Sequence, residues 1–218
     1  MKPKVRSDET RARILAAALE LFRRQGFEAT TMREIAAGAG VATGAAYYYF
    51  DSKDAIVLAF YDQAQQEMAP RLDAALSGSK DLTVRIAAIL AVKLDYFHLS
   101  RRLLGALSAH TDPEHPLSPF SDRTRACRER DMEVFVQAIS GSRTHVPDDL
   151  RAQLPRLLWM YQMGVILFWI YDRSEGQQKT HALIEKSLHI IVRLIKLSSL
   201  PLMRPLRRVV VDLVETVS

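Results

Sequence analysis

Between Thr31 and Lys53 the chain reads TMREIAAGAGVATGAAYYYFDSK, and this stretch limits the possible folds more than any other. Thr31 and Glu34 have the T-x-x-E spacing of a capping box, in which each side chain serves the other residue's backbone N–H; a helix is expected to start there. Ile35, Ala36 and Ala39 give that helix a narrow apolar face. Gly40 follows where the chain must turn sharply, and glycine accepts a positive φ without a Cβ penalty. After Val41 come the very small residues Ala42 to Ala46, then the aromatic block Tyr47-Tyr48-Tyr49-Phe50. Small residues let a backbone approach a partner closely, and tyrosine hydroxyls reach phosphates or base edges. Two short helices joined by a glycine turn make a helix-turn-helix, whose second helix enters the DNA major groove. The pattern implies a DNA-reading head.

The same residues carry a resemblance. The stretch resembles the N-terminal domain of the TetR family of bacterial transcriptional regulators, whose pattern runs T-x-x-x-I-A-x-x-A-G-V-S-x-G-x-x-Y-x-Y-F-x-S-K-[ED]-x-L. Thr31, Ile35, Ala36, Ala39, Gly40, Val41, Gly44, Tyr47, Tyr49, Phe50, Ser52, Lys53 and Asp54 match it in register. The resemblance implies an all-α chain: a three-helix DNA-binding head over residues 1–54 and a helical ligand-binding and dimerisation body over 55–218, about nine or ten helices in all.

Composition agrees with this without requiring it. A net charge of +5 and a pI near 9.4 suit a polyanionic partner. Cys127 is the single cysteine, which excludes an intrachain disulfide and a cysteine-based zinc cluster and fits a reducing, cytoplasmic setting. A thiol alone in a charged helix reads as structural rather than redox-active. The basic N-terminus MKPKVRSDET leads into no uninterrupted apolar run, so no signal peptide is expected. The most apolar stretch, Leu157 to Tyr171, falls short of the roughly 20 residues a membrane span needs. It reads as a buried helix.

Helical periodicity recurs along the whole chain, and strand alternation is nearly absent. The first helix is expected to begin between Ser7 and Thr10 and to end at Gly26, with Ile14, Ala18, Leu21 and Phe22 on one face. The residues ahead of it, including Lys2, Lys4 and Arg6, form either an arm along DNA or a solvated tail. A fourth helix starts at Ser52, its cap, and is expected to kink or stop near Pro70. Further helices are expected over about 82–99, 101–110, 121–140, 148–173, 179–198 and 204–217. The run LLWMYQMGVILFWIY is apolar all round, and such a helix must be covered on both sides. Val209, Leu213 and Val217 are expected to pack the last helix onto the body.

The resemblance also implies roles. Arg33 reaches guanine, or else serves as a phosphate contact or a solvated helix charge. Thr43, Gly44 and Ala45 open the recognition helix: two methyls suit thymine, and the glycine allows close approach. Tyr47 and Tyr49 face phosphates or bases, Tyr48 reaches phosphate, and Phe50 belongs to the core. Lys53 adds a cation to a helix N-terminus, a ready anion site, and Thr31 adds a hydroxyl. Ala42 stands where the family often has a capping serine, so the recognition helix is expected to start one residue later with Thr43 as its cap. Ala45 stands where a hydroxyl is frequent, which shifts readout toward methyl contacts and DNA shape.

In the body, Tyr96, Phe97, Phe120, Phe135, Trp159, Met163 and Phe168, with Met160 and Trp169 beside them, offer the lining of a mostly apolar ligand cavity, or else plain core. His98, His110, His115, Asp112 and Glu114 lack metal-ligand spacing, and no metal or cofactor is expected. The expected partners are a double-stranded DNA operator, a small-molecule effector and a second copy of the chain. That copy docks through Leu157–Tyr171 and Lys179–Ser198, matching the two-fold symmetry of a palindromic site. The leading expectation is a ligand-released dimeric repressor; the alternative is a ligand-independent regulator or an activator whose body only dimerises. The chain has no G-x-S-x-G, no phosphate-binding glycine loop and no H-E-x-x-H, and an enzyme is not expected.

Overall fold

A computed structural model of the chain describes residues 2–110 and 112–216; the side chains of 2–6 and of 215 lie outside it. Its helices are α1 (Lys2–Gln25), α2 (Met32–Gly38), α3 (Thr43–Tyr49), α4 (Lys53–Ser77), α5 (Leu82–Phe97), α6 (Arg101–Leu107), α7 (Arg125–Ser140), α8 (Asp148–Tyr171), α9 (Gln178–Ser198) and α10 (Arg204–Thr216). No strand occurs among the described residues. The chain is all-α. None of its described helices is long and apolar enough to cross a membrane.

Two compact units emerge, Met1–Gln66 with Phe97–Cys127, and Glu67–Tyr96 with Arg128–Ser218. The head expected over 1–54 lies inside the first, which also takes in the first part of α4 and the 97–127 segment. Within that unit α1 buries Ile14, Leu15, Ala18, Leu19 and Phe22, and α2 buries Met32, Ile35 and Ala36. Gly26 ends α1 at φ +95°, a conformation that glycine adopts without strain. Thr30 then donates its hydroxyl to the Gly26 carbonyl at 2.7 Å. This satisfies one of the carbonyls left open where a helix stops.

The second unit is organised by buried polar groups. Arg85 on α5, only 4% exposed, donates to Ala138 O and Gln137 O at 2.8 Å each. It also donates to Ser79 O at 2.8 Å and to Leu76 O. One guanidinium thus closes the C-terminal ends of α4 and α7. Lys93 on α5 donates to Asp131 on α7 at 2.5 Å, and Gln162 on α8 donates its amide N–H to the other oxygen of that carboxylate at 2.8 Å.

At the α8–α9 corner Asp172 accepts from Ser174 N (2.9 Å) and Oγ (2.6 Å), and from Thr180 N (2.9 Å) and Oγ1 (2.7 Å). These bonds, the Ser174 hydroxyl's foremost, hold the carboxyl well below the usual aspartate range. A depressed folded-state pKa contributes stability above the unfolded value and loses it as pH falls through the folded one. The wild type should therefore unfold at progressively lower urea concentration as pH drops below about 4, the unfolded aspartate value. Asp172→Asn is expected to be less stable at pH 7 and to show a flatter acid limb. An acid limb unchanged in the variant would refute this role.

Several boundaries differ from expectation. α1 begins at Lys2 rather than between Ser7 and Thr10. Pro3 sits in its first turn, where a missing N–H costs little; the side chains of Lys2, Lys4 and Arg6 lie outside the described residues. α4 runs through Pro70 to Ser77 without stopping. Pro70 and Gln66, whose carbonyl loses its usual partner, are both exposed, so water can serve that carbonyl. α6 stops at Leu107 and α7 starts only at Arg125.

The last helix presents the opposite face from the one expected. Val209 and Leu213 are each 63% exposed, not packed on the body. α10 docks instead through Val214, buried, and Arg207, which donates to Asp149 Oδ2 at 2.6 Å and to Ser198 O at 2.5 Å. Charge-assisted bonds at Arg207 fix the rotation of the helix and leave the Leu206–Val209–Leu213 stripe outside. Val217 lies outside the described residues.

Candidate nucleic-acid interface

The capping box is present. Glu34 N donates to Thr31 Oγ1 at 3.2 Å, and Thr31 N donates to Glu34 Oε2 at 2.8 Å. The Thr31 hydroxyl also donates to that carboxylate at 2.8 Å. Thr31 N–H, before the hydroxyl, holds the Glu34 carboxyl below its ordinary value. Gly40 turns the chain at φ +65°, and Val41 N bonds back to Ala36 O at 3.0 Å. α3 starts at once, with Ala42 as its N-cap and no side-chain cap bond. Thr43 is therefore the first residue of the helix and not its cap. An alanine cap leaves early N–H groups without a protein side-chain acceptor.

Burial divides α3 cleanly. Ala46 and Phe50 turn into the core, as expected for Phe50, and the Arg11 guanidinium lies 4.8 Å above the Phe50 ring. The other face carries Thr43 and Gly44, both exposed, with Tyr47 at 52% and Tyr48 at 83% exposure. Ala45 and Tyr49 are half-buried. The Tyr48 and Tyr49 rings meet edge-on with centroids 5.2 Å apart. A Cβ built on Gly44 would meet nothing within 4 Å. Glycine inside a helix costs about 1 kcal/mol against alanine, and nothing inside this chain requires it here. Arg33 is exposed on α2.

Lys53 is more engaged than its sequence position suggests. Its ammonium donates to Phe27 O at 2.8 Å and Glu28 O at 3.3 Å, and stands 4.6 Å from the Phe27 ring centroid. Beside it, Ser52 Oγ accepts from Ala55 N at 3.1 Å and caps α4. An ammonium has three donors, so one remains for a phosphate. Lys53→Ala is accordingly expected to lower the stability of the head by about 1–2 kcal/mol through lost hydrogen bonds and cation–π contact. It should also weaken DNA binding on every sequence and flatten the salt slope. Unchanged unfolding by urea, or unchanged affinity, would contradict the respective role.

The body residues expected to line a ligand cavity divide between the units. Phe97 and Phe120 belong to the first, where Phe97 meets Phe60 edge-on at 5.9 Å and Phe120 is 47% exposed. In the second, Phe135 and Trp159 are buried, Met163 is half-buried and Phe168 is exposed. Tyr96 donates its hydroxyl to Glu67 at 2.6 Å. The Lys93–Asp131–Gln162 cluster has no motif in the sequence; its one signal there is a lysine and a glutamine inside otherwise apolar helices. The His110 and His115 rings stack at 3.8 Å, and no group of three metal-ligating side chains occurs among the described residues.

Two family models match the chain. "Bacterial regulatory proteins, tetR family" covers residues 14–60, and "Tetracyclin repressor-like, C-terminal domain" covers residues 85–216, more than half of the chain. Over 51 residues the chain is 43% identical to the uncharacterized HTH-type transcriptional regulator YerO of Bacillus subtilis (strain 168), covering 23% of this chain and 18% of YerO. Over 105 residues it is 30% identical to the HTH-type transcriptional regulator BetI of Brucella anthropi, covering 48% of this chain and 54% of BetI. The chain thus spans about half or less of the length of these curated relatives. The structure of Thermus thermophilus FadR, a transcriptional repressor in complex with lauroyl-CoA, matches with a TM-score of 0.57 and 25% identity, covering 80% of this chain and 92% of that one.

Proposed function

Because the chain belongs to the TetR family of bacterial transcriptional regulators, we propose that it is a cytoplasmic repressor that binds a palindromic operator as a homodimer and is released by a mostly apolar small molecule. The family and its relatives regulate transcription through DNA and are not enzymes. The observation that carries the proposal is the exposed, hydroxyl-bearing face of α3, with an unhindered glycine at its start. In this reading Thr43 and Ala45 offer methyls to thymine, and Gly44 brings the backbone close to the groove. Tyr47, Tyr48 and Tyr49 contact phosphates or base edges. Arg33, Thr31 and the remaining Lys53 donor flank them.

The dimer proposal rests on two stripes. On α8, Met160, Leu167, Phe168 and Tyr171 are exposed at helical spacing; on α9, Ile190, Leu194 and Leu197 are exposed likewise. The spacing is i, i+7, i+8, i+11 on α8 and i, i+4, i+7 on α9, each a stripe along one helix face as in the seam of a helix bundle. A contiguous apolar face of this kind marks a protein interface.

The effector proposal draws on the body's interior. Gln162 is 1% exposed, and its Oε1 is buried without a hydrogen-bond partner among the described residues. A ligand donor there would satisfy it. The repressor from Thermus thermophilus was crystallised with lauroyl-CoA, which sets a precedent for an effector with apolar character. The rival reading, a ligand-independent regulator or activator, is separated by one experiment. DNA selected from a random pool is bound by the chain, and small molecules that raise its melting temperature are added. Release of the DNA by a stabilising molecule supports the proposal; stabilisation with the complex intact favours the rival.

A further inference from the structure

An open cleft of 760 Å³ lies in the second unit between the α4–α5 turn, the α7–α8 loop and the end of α9. Lys80, Arg143 and Lys196 line it together with His145. No side-chain hydrogen bond or ion pair engages these three cations among the described residues. The one carboxylate in the lining, Asp81, caps α5, its Oδ1 accepting from Val84 N at 3.1 Å, and its charge also acts on Lys196. Three cations against one carboxylate leave the cleft with a net charge of +2.

Hydroxyl donors accompany the cations. Ser79 Oγ accepts from Asp81 N at 3.1 Å, which leaves its own proton to donate, and the Thr144 hydroxyl makes no bond among the described residues. The walls are also held in place. Arg143 N donates to Lys80 O at 2.9 Å and ties the two loops together, and Ser199 Oγ donates to His145 O at 3.1 Å. Beneath them the buried Arg85 holds Ser79 O at 2.8 Å. The cleft is therefore preformed, and a ligand does not have to order it.

We propose that this cleft binds a small phosphate-bearing molecule. Its volume lies within the roughly 300–1,000 Å³ of small-molecule sites. Two lysines, an arginine fork and hydroxyl protons are the donor set that a phosphate dianion takes. The site is separate from the DNA-reading face and from the effector proposed above, and the inference rests on neither.

The test is calorimetric titration of the full chain with pyrophosphate, at constant ionic strength set with sodium chloride. Saturable binding of one pyrophosphate per chain is expected, weakened about tenfold by either Arg143→Gln or Lys196→Gln. These side chains are exposed, so both variants should melt with the wild type. Lys186→Gln, an exposed cation on α9 outside the cleft, should bind like the wild type. Absence of saturable heat, or equal weakening by Lys186→Gln, overturns the proposal. Vesicles of phosphatidylcholine with phosphatidylglycerol separate a lipid headgroup from a soluble ester. Lys196-dependent vesicle binding without pyrophosphate binding also overturns it. Binding to selected DNA, scored separately, reports on the proposed function and is not altered by either outcome.

Discussion

Arg85→Ala is expected to leave the second unit unfolded at temperatures where the wild-type chain is folded. The buried guanidinium serves carbonyls at Leu76, Ser79, Gln137 and Ala138, most of them in the last turns of α4 and α7. Gln137 O also accepts from Gly141 N at 3.0 Å and keeps that bond without the guanidinium; each of the other carbonyls left dry costs about 1–3 kcal/mol. Water will enter the space and recover part of this, so a loss of about 4 kcal/mol is the expected net effect, a large share of the roughly 5–15 kcal/mol that holds a domain together. Arg85→Lys should rescue less than half, because an ammonium cannot reproduce a planar fork of donors. Gly141→Ala should reproduce much of the defect from the other side. A Cβ there would stand 2.8 Å from Arg85 Cζ and closer still to Nη2, forcing the guanidinium off its carbonyls. Urea midpoints read all three. A midpoint for Arg85→Ala equal to that of the wild type would show that the carbonyls find water without penalty.

The second large effect concerns assembly. Leu167 on α8 and Leu194 on α9 are 49% and 57% exposed, so glutamate at both positions should cost a folded monomer little. In a dimer sealed by these stripes the same change buries two charges per chain against apolar surface, which is strongly unfavourable. The double variant is expected to sediment as a folded monomer. Its operator affinity should fall by about a hundredfold or more, because the second head loses the effective concentration that linkage provides. A double variant that remains dimeric and binds normally would move the interface elsewhere, with the exposed Leu206–Val209–Leu213 stripe of α10 as the next surface to examine.

The legible parts of this chain are those in which local chemistry sets the outcome. Thr31 and Glu34 specify the start of α2 from their spacing alone, Gly40 specifies the turn, and Phe50 is the core member of its aromatic block. What escaped depends on partners distant in sequence. The apolar Leu206–Val209–Leu213 stripe of α10 faces outward, and Arg207 reaching Asp149, 58 residues away, helps select the face that docks. Lys93, Asp131 and Gln162 each read as an unremarkable residue on its own helix, and their meeting is a property of three packed helices. Lys53 fits the family pattern as an anion-site cation, yet most of its bonds go to Phe27 and Glu28 within the head. The candidate effector residues are marked by apolar character, which core and pocket share, so composition alone does not distinguish the two.

Hydroxyl-radical footprinting on a duplex selected from a random pool shows whether two copies read DNA through α3. Two protected segments related by a two-fold axis are expected, centred about 34–36 Å or a multiple of that apart. Both should disappear together in a Tyr47→Ala/Tyr48→Ala variant that melts like the wild type. A single asymmetric footprint, or protection that persists when the exposed tyrosines of α3 are removed, would contradict it.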